Sequence, residues 1–329
     1  MFMKGFNVTW KDCVVKKVLD QHLLEEIPKS PQRVYVSMVI LREFHSTAVL
    51  TTEGQHLDVE MVRAGRTKNQ LLSRVVLQKR KQVAPERRTG RAFNRQMGWG
   101  ETCDYMKPMC GECPDCLLYG FAAISGEGAQ RSRVLTDSGF SIRQYEAIQR
   151  SITLNAIQDT TQGGIAGSAF AEREHIRPQV FFPTIETAVD VTSSELVYIL
   201  RNILSTTRYG AESNRQGYVK NHIIGLLFTN TEIMSNLELT QRVFDYLIQE
   251  KGEKIHEEPL VQEEVRQAML HALDEVVADS YLPTQLYAGE ELESVLSGLR
   301  QLWKSEEGNR EWLKNLAEDH QAYLKKRSK

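Results

Sequence analysis

Residues 33–44 read RVYVSMVILREF, and this run decides the fold. It is β-rich, apolar and long enough for a strand. That composition predicts a central strand buried on both faces. Pro28 and Pro31 punctuate the chain just before it. Working outward, Gln179–Asp190 (QVFFPTIETAVD) predicts a second strand, with Pro183 implying an edge or a bulge. Tyr218–Phe228 (YVKNHIIGLLF) predicts a third. Thr51–Glu60 alternates weakly and reads as an adjacent strand or a loop. Ser151–Ile157 (SITLNAI) reads as a strand that pairs with Gln179–Asp190 in a long hairpin tipped by Asp159–Ser168 (DTTQGGIAGS).

Helices surround these strands. Thr192 and Glu195 form a capping box ahead of an apolar stripe at Leu196, Ile199, Leu200 and Ile203. A second helix is predicted over Leu237–Glu250. Beyond Glu257 come three more stripes: Val261 to Val276, Leu292 to Leu302, and Trp312 to Tyr323. Pro259 stands where a helix N1 proline belongs. Residues 241–320 carry eighteen acids and eight bases, so the helices read as acidic on the outside. The expectation is an α+β body over residues 1–255 and a helical C-terminal extension over 256–329.

The 329 residues, 41% hydrophobic and 26% charged, suit a globular protein with ample material for a core. No run of eighteen apolar residues occurs, and the opening MFMKGFNVTWKDC lacks an apolar segment with a cleavage site, so a cytoplasmic location is expected. Net charge is −2, yet Arg63, Arg66, Lys68, Arg74, Lys79, Arg80, Lys81, Arg87, Arg88, Arg91 and Arg95 face a single acid, Glu86, between residues 63 and 95. Such asymmetry marks a polyanion site. Eight of these eleven are arginine, the side chain suited to phosphate forks. Pro85 and Gly90 break the segment, which predicts a hairpin or irregular arm rather than one helix. Phe93, Trp99 and Tyr105 lie close enough to stack on unpaired bases.

Cys103, Cys110, Cys113 and Cys116 follow, spaced C-x6-C-x2-C-x2-C. Two C-x2-C steps turning at Gly111 and Pro114 predict a structural Zn2+ site closed by four thiolates. Unliganded buried thiols, an iron–sulfur cluster and a set in which a histidine replaces one sulfur stay open. Cys13 reads as a small buried residue.

Three further groups are candidates. Thr160, Thr161 and Gln162 in the glycine-rich tip offer uncharged contacts to a nucleic-acid strand, and Arg208 and Arg215 lie in the polar loop TTRYGAESNRQG. No G-K-[ST] accompanies the tip glycines, which argues against a Walker-type nucleotide site. Asp58, with Glu53 and Glu60, is the candidate for metal-dependent strand scission; surface acids flanking a strand are the plainer reading. Catalysis is thus left undecided, with a non-catalytic role favoured. A zinc-finger DNA-binding regulator is a third possibility, disfavoured because no recognition-helix pattern flanks the cysteines.

The stretch GRTKNQLLSRVVLQKRKQVAPERRTGRAFNRQ with its four cysteines, and RYGAESNRQGYVKNHIIGLLF, resemble the type I-D CRISPR effector backbone subunits. The resemblance covers roughly residues 1–250. It implies an RRM-like (ferredoxin-like) core with large insertions: the basic arm and cysteine cluster at 63–120 and a thumb-like hairpin at 151–182. It implies a guide-RNA-binding subunit that oligomerises along the RNA in an antiviral interference complex. The partners would be guide RNA, target DNA, further copies of itself and other subunits. Some relatives in the wider family cut nucleic acid with an acid after the first strand, roughly where Asp58 stands. A guide scaffold must accept any spacer, so contacts to the backbone suit it.

Overall fold

A computed structural model describes residues 8–52, 54–105, 109–122, 129–154 and 171–327. The first part of the chain forms α1 (Val14–Leu19), β1 (Tyr35–Phe44), β2 (Val59–Arg63), β3 (Leu71–Leu77), α2 (Lys79–Gln96) and α3 (Pro114–Tyr119). The middle forms β4 (Val134–Thr136), β5 (Gly139–Gln144), α4 (Tyr145–Ile148), β6 (Gln149–Leu154), β7 (Ala171–Ile176), β8 (Val180–Val189), α5 (Ser193–Ser205) and β9 (Arg208–Tyr209). The last part forms β10 (Gly217–Thr229), α6 (Asn236–Lys251), α7 (Lys254–Glu257), α8 (Gln262–Asp279), β11 (Gln285–Ala288), α9 (Gly289–Lys304) and α10 (Glu306–Arg327).

The main sheet runs β11-β10-β1-β8-β4, with β9 paired to β10. β1 is central, antiparallel to β10 on one side and β8 on the other. Successive side chains of a strand point to opposite faces. Val36, Met38 and Ile40 accordingly join one core with α1, α5, α9 and α10, while Val39 and Leu41 join another with α6 and α8. Both faces of the sheet are thus covered, as RVYVSMVILREF predicts. Pro183 sits opposite Leu41, beyond the three residues of β8 that β4 pairs, so on that side its position is an edge. Read in chain order, β1, α2, β4, β8, α5 and β10 run strand, helix, strand, strand, helix, strand. The remaining strands form β2-β3-β5 and the hairpin β6-β7.

Several expectations need correction. Residues 79–96 form one 18-residue helix, not an irregular arm. Packing overrides local preference here. A methyl group on Gly90 would lie 2.7 Å from the Tyr198 hydroxyl and 2.6 Å from Asn202 Nδ2, so glycine is what lets α2 close on α5. The strand after Gln149 pairs with Ala171–Ile176, while 180–189 enters the main sheet beside β1. Of the two readings for residues 51–60, the described residues before Val59 follow the loop, and β2 starts at Val59 in a separate sheet. Pro259 precedes the α8 N-cap, Val261, by two residues rather than standing at N1. The helices beyond 255 pack onto the body: Val265, Met269 and Leu273 fill one core, and Leu299, Trp312 and Leu316 the other.

Candidate nucleic-acid interface

Once 79–96 is a helix, its basic residues sort by face. Gln82, Glu86, Gly90, Phe93 and Asn94 are buried. Arg80, Arg87, Arg88, Arg91 and Arg95, spaced by seven, one, three and four residues, share the opposite stripe. This stripe, with Lys81, lines a groove of about 870 Å³ whose other wall includes Thr52, Asp104, Tyr105 and Gly210. Partial burial, with like charge from Arg80 and Arg88, holds the Lys81 ammonium below the usual lysine range against the pull of Asp58. The field in the groove is positive, which suits a polyanion. Lys79 and Arg80 also border a second hollow of about 510 Å³ beside β4.

A buried network seats α2 on the sheet. Arg42 on β1 donates to Glu86 Oε1 on α2 at 2.8 Å, to Glu186 Oε1 on β8 at 2.6 Å and to Tyr209 Oη at 3.0 Å. Two carboxylates crowd one guanidinium. Burial, and then the neighbouring Glu86 charge, push the Glu186 carboxyl well above its ordinary range.

The basic stretch does not act as one patch. Arg74 is fully buried, donating to the carbonyls of Ala64, Ser141 and Ile142. This corrects its assignment as a phosphate contact. Arg63, Arg66 and Lys68 are exposed at the far end of β3, whose seven residues span roughly 23 Å. There the amides of Arg66 and Thr67 donate to Asp245 on α6. Arg87 and Arg91 reach the groove from partly and largely buried positions, each paired with Asp115. Of the three aromatic candidates, Tyr105 is 76% exposed in the groove wall, Trp99 packs against the core, and Phe93 is buried against Trp312. In the polar loop, Gly210 lines the groove, Arg208 lies over Tyr218, and Arg215 pairs with Glu212. Thr160, Thr161 and Gln162 lie outside the described residues.

The cysteine sulfurs of residues 103, 110, 113 and 116 all lie within 4.8 Å of one another. Cys103 to Cys116 is 3.5 Å; Cys110 to Cys116 and Cys113 to Cys103 are each 3.8 Å. Gly111 turns the knuckle at φ +74°, a conformation glycine adopts without strain. Burial pushes the Cys103 thiol up to about 11, and sulfur contact with Cys116 plus burial raise Cys113 far above its ordinary range. A dication inverts such a balance by favouring thiolates. The four sulfurs thus form a group that could hold one metal ion. Cys13 is buried elsewhere, against the Gly298 carbonyl.

Among the described residues no second group of three or more His, Cys, Asp or Glu is placed to share an ion, and Asp58 stands outside the cysteine group. Its backbone carbonyl accepts from Val76, and its carboxylate is near Lys81. Reading residues singly missed Asp115 and Arg42. Asp115 had a signal: it is the acid inside C-P-D-C, following a run of eleven bases. Arg42 is one charge in an apolar strand, with nothing local to mark its partners.

Residues 22–313 match the profile of the Csc2 Crispr family. Among solved structures, the crystal structure of Thermofilum pendens Csc2 superposes with a TM-score of 0.57 at 17% identity, covering 93% of this chain and 94% of that one. A chain of a CRISPR RNA-guided surveillance complex in a pre-nicking state gives 0.53 at 7% identity, covering 81% and 100%. At these identities the structural likeness is one of fold. No curated protein matches the sequence. No helix among the described residues is long and apolar enough to cross a membrane.

Proposed function

The chain belongs to the Csc2 CRISPR family, and from that premise we propose that it is a guide-RNA-binding backbone subunit of a type I-D interference complex. Copies of it line the guide, together with other subunits, and present it for pairing with target DNA. The observation that carries this reading is the groove along α2, where Arg80, Lys81, Arg87, Arg88, Arg91 and Arg95 converge. Such a wall holds a phosphate backbone without reading bases, as a scaffold for variable guides requires.

Two further features support the reading. The main sheet's order β10-β1-β8-β4, with α2 and α5 as crossings, fits the βαββαβ pattern of an RRM-like, ferredoxin-like core. The sheet surface that RNA-reading RRM proteins use is not needed here, because both faces are filled by helices. The metal read for the cysteines is structural zinc. Zinc–sulfur bonds of about 2.3 Å place tetrahedral sulfurs about 3.8 Å apart, in line with the spacings here, and four thiolates leave no open coordination position.

The test is the nucleic acid that co-purifies with the protein. A uniform single-stranded RNA of several tens of nucleotides is expected. Arg88→Glu with Arg95→Glu, both on the groove rim, should strip it while thermal unfolding stays cooperative. Retention of RNA by that variant at moderate salt removes the groove from the reading.

A further inference from the structure

The two halves of the basic–cysteine segment meet at one side chain. Asp115 lies between Cys113 and Cys116 on α3 and is fully buried. Arg87 Nε donates to its Oδ1 at 3.0 Å and Nη2 to its Oδ2 at 2.9 Å, a two-toothed fork. Arg91 Nη1 donates to the same Oδ2 at 3.2 Å. Arg87 Nη2 also donates to the Gly120 carbonyl at the end of α3, at 3.0 Å. Arg87 and Arg91 stand one helical turn apart on α2, so both guanidiniums face one carboxylate. One negative charge answers two positive ones, and the surplus points into the groove, which both arginines line. Arg91 is only 8% exposed, so its remaining donors sit in a built position rather than on a free surface.

We propose that Asp115 is a positioning residue for a phosphodiester subsite formed by Arg87 and Arg91, through which the cysteine knuckle sets how the groove holds a nucleic-acid backbone. The proposal rests on the reading of the groove as a nucleic-acid interface. An arginine already clamped by a carboxylate has less rotamer freedom to lose when a phosphate arrives. Asp115 is itself held by backbone that carries two of the four cysteines, Cys113 at the α3 N-cap and Cys116 inside the helix. The knuckle therefore fixes the forks as well as its own loop.

The experiment measures binding of a single-stranded uridine homopolymer of about twenty nucleotides across a salt series, by anisotropy, for the full chain and for Asp115→Asn. The variant should bind about tenfold more weakly, with a salt slope shallower by about 0.7 for one lost phosphate contact, and with its metal content by elemental analysis unchanged. Equal affinity and slope overturn the proposal. On an Arg87→Ala, Arg91→Ala background the Asn substitution should add nothing, and a further loss there also overturns it. Should Asp115→Asn not fold, Arg87→Lys with Arg91→Lys keeps both charges and removes the forks; unaltered binding by that pair overturns it as well. If the unmodified protein binds no RNA, the groove reading falls and the proposal with it. If it binds and Asp115→Asn is indifferent, only the positioning role falls.

Discussion

At the scale of single residues, the contact between α5 and α10 carries opposing proton-linked effects. Burial pushes the Glu195 carboxyl up, but Arg133, with help from His320, outweighs it and holds Glu195 at about 2. A depressed carboxyl favours the fold above its ordinary value of 4.5, and that contribution is lost as pH falls from there toward 2. Asp319 goes the other way. Burial first, and then the Glu195 charge, raise it from 3.8 to about 6. The native state then binds more protons than the unfolded chain between those values, so its contribution declines as pH rises through that window. Thermal midpoints should therefore climb from pH 2 to about 4.5 and lose part of the gain by about pH 6. In Asp319→Asn the decline should vanish and the acid limb remain; a persistent decline assigns it to another group. None of this was legible beforehand, because residues 192–195 and 319–320 meet only in the folded chain. The capping box at Thr192 and Glu195 was legible, since its members are three apart.

Elements whose periodicity was strong in the sequence occur where expected: β1, β8 and β10 in the main sheet, and α5, α6, α8, α9 and α10 around it. Failures came where a local signal was outweighed by a distant contact. Pro85 and Gly90 argued against a helix, yet Glu86 is bound by Arg42 on β1 and Gly90 is matched to Tyr198 on α5. With that helix went the phase of the basic stripe, and with the phase the distinction between Arg88 on the rim and Arg91 beside Asp115. Reversing Arg87 or Arg91 to Glu sets a second carboxylate against a buried one, so it tests the fold as much as the groove. The partner of β6 was missed because β7, AEREHI, lacks apolar alternation. At this scale the knuckle is also testable. Cys110→Ser with Cys113→Ser should release the metal, read by elemental analysis, and raise proteolytic cutting within residues 100–120. A protein that contains no metal before substitution ends that reading.

At the scale of the whole molecule, the segments on either side of residue 255 share both cores. α8 packs on α6 in one core; α9 and α10 pack with α1 and α5 in the other; and β11 extends the main sheet. Removing residues 256–329 strips cover from Leu227, Ile224 and Val243 in one core and from Leu19 and Val15 in the other, apolar surface far beyond what a lone domain tolerates. The chain truncated after 255 should aggregate or bind hydrophobic dyes, whereas a well-dispersed, cooperatively melting fragment would restore the two-part description.

The central strand has one more consequence, which concerns time. β1 is synthesised well before its partners, which lie far downstream: Tyr35 pairs with Val189 and with Thr229. The second pairing closes 194 residues. At roughly 5–20 residues per second, the ribosome takes about 10–40 s to make that stretch. Until β8 is made the run has neither neighbouring strand, until β10 is made it still lacks one, and each closure is of the long-range kind that folds slowly. The nascent chain is therefore at its most aggregation-prone before β8 emerges. The same burial on two faces that secures β1 in the finished protein makes it dependent on segments not yet translated.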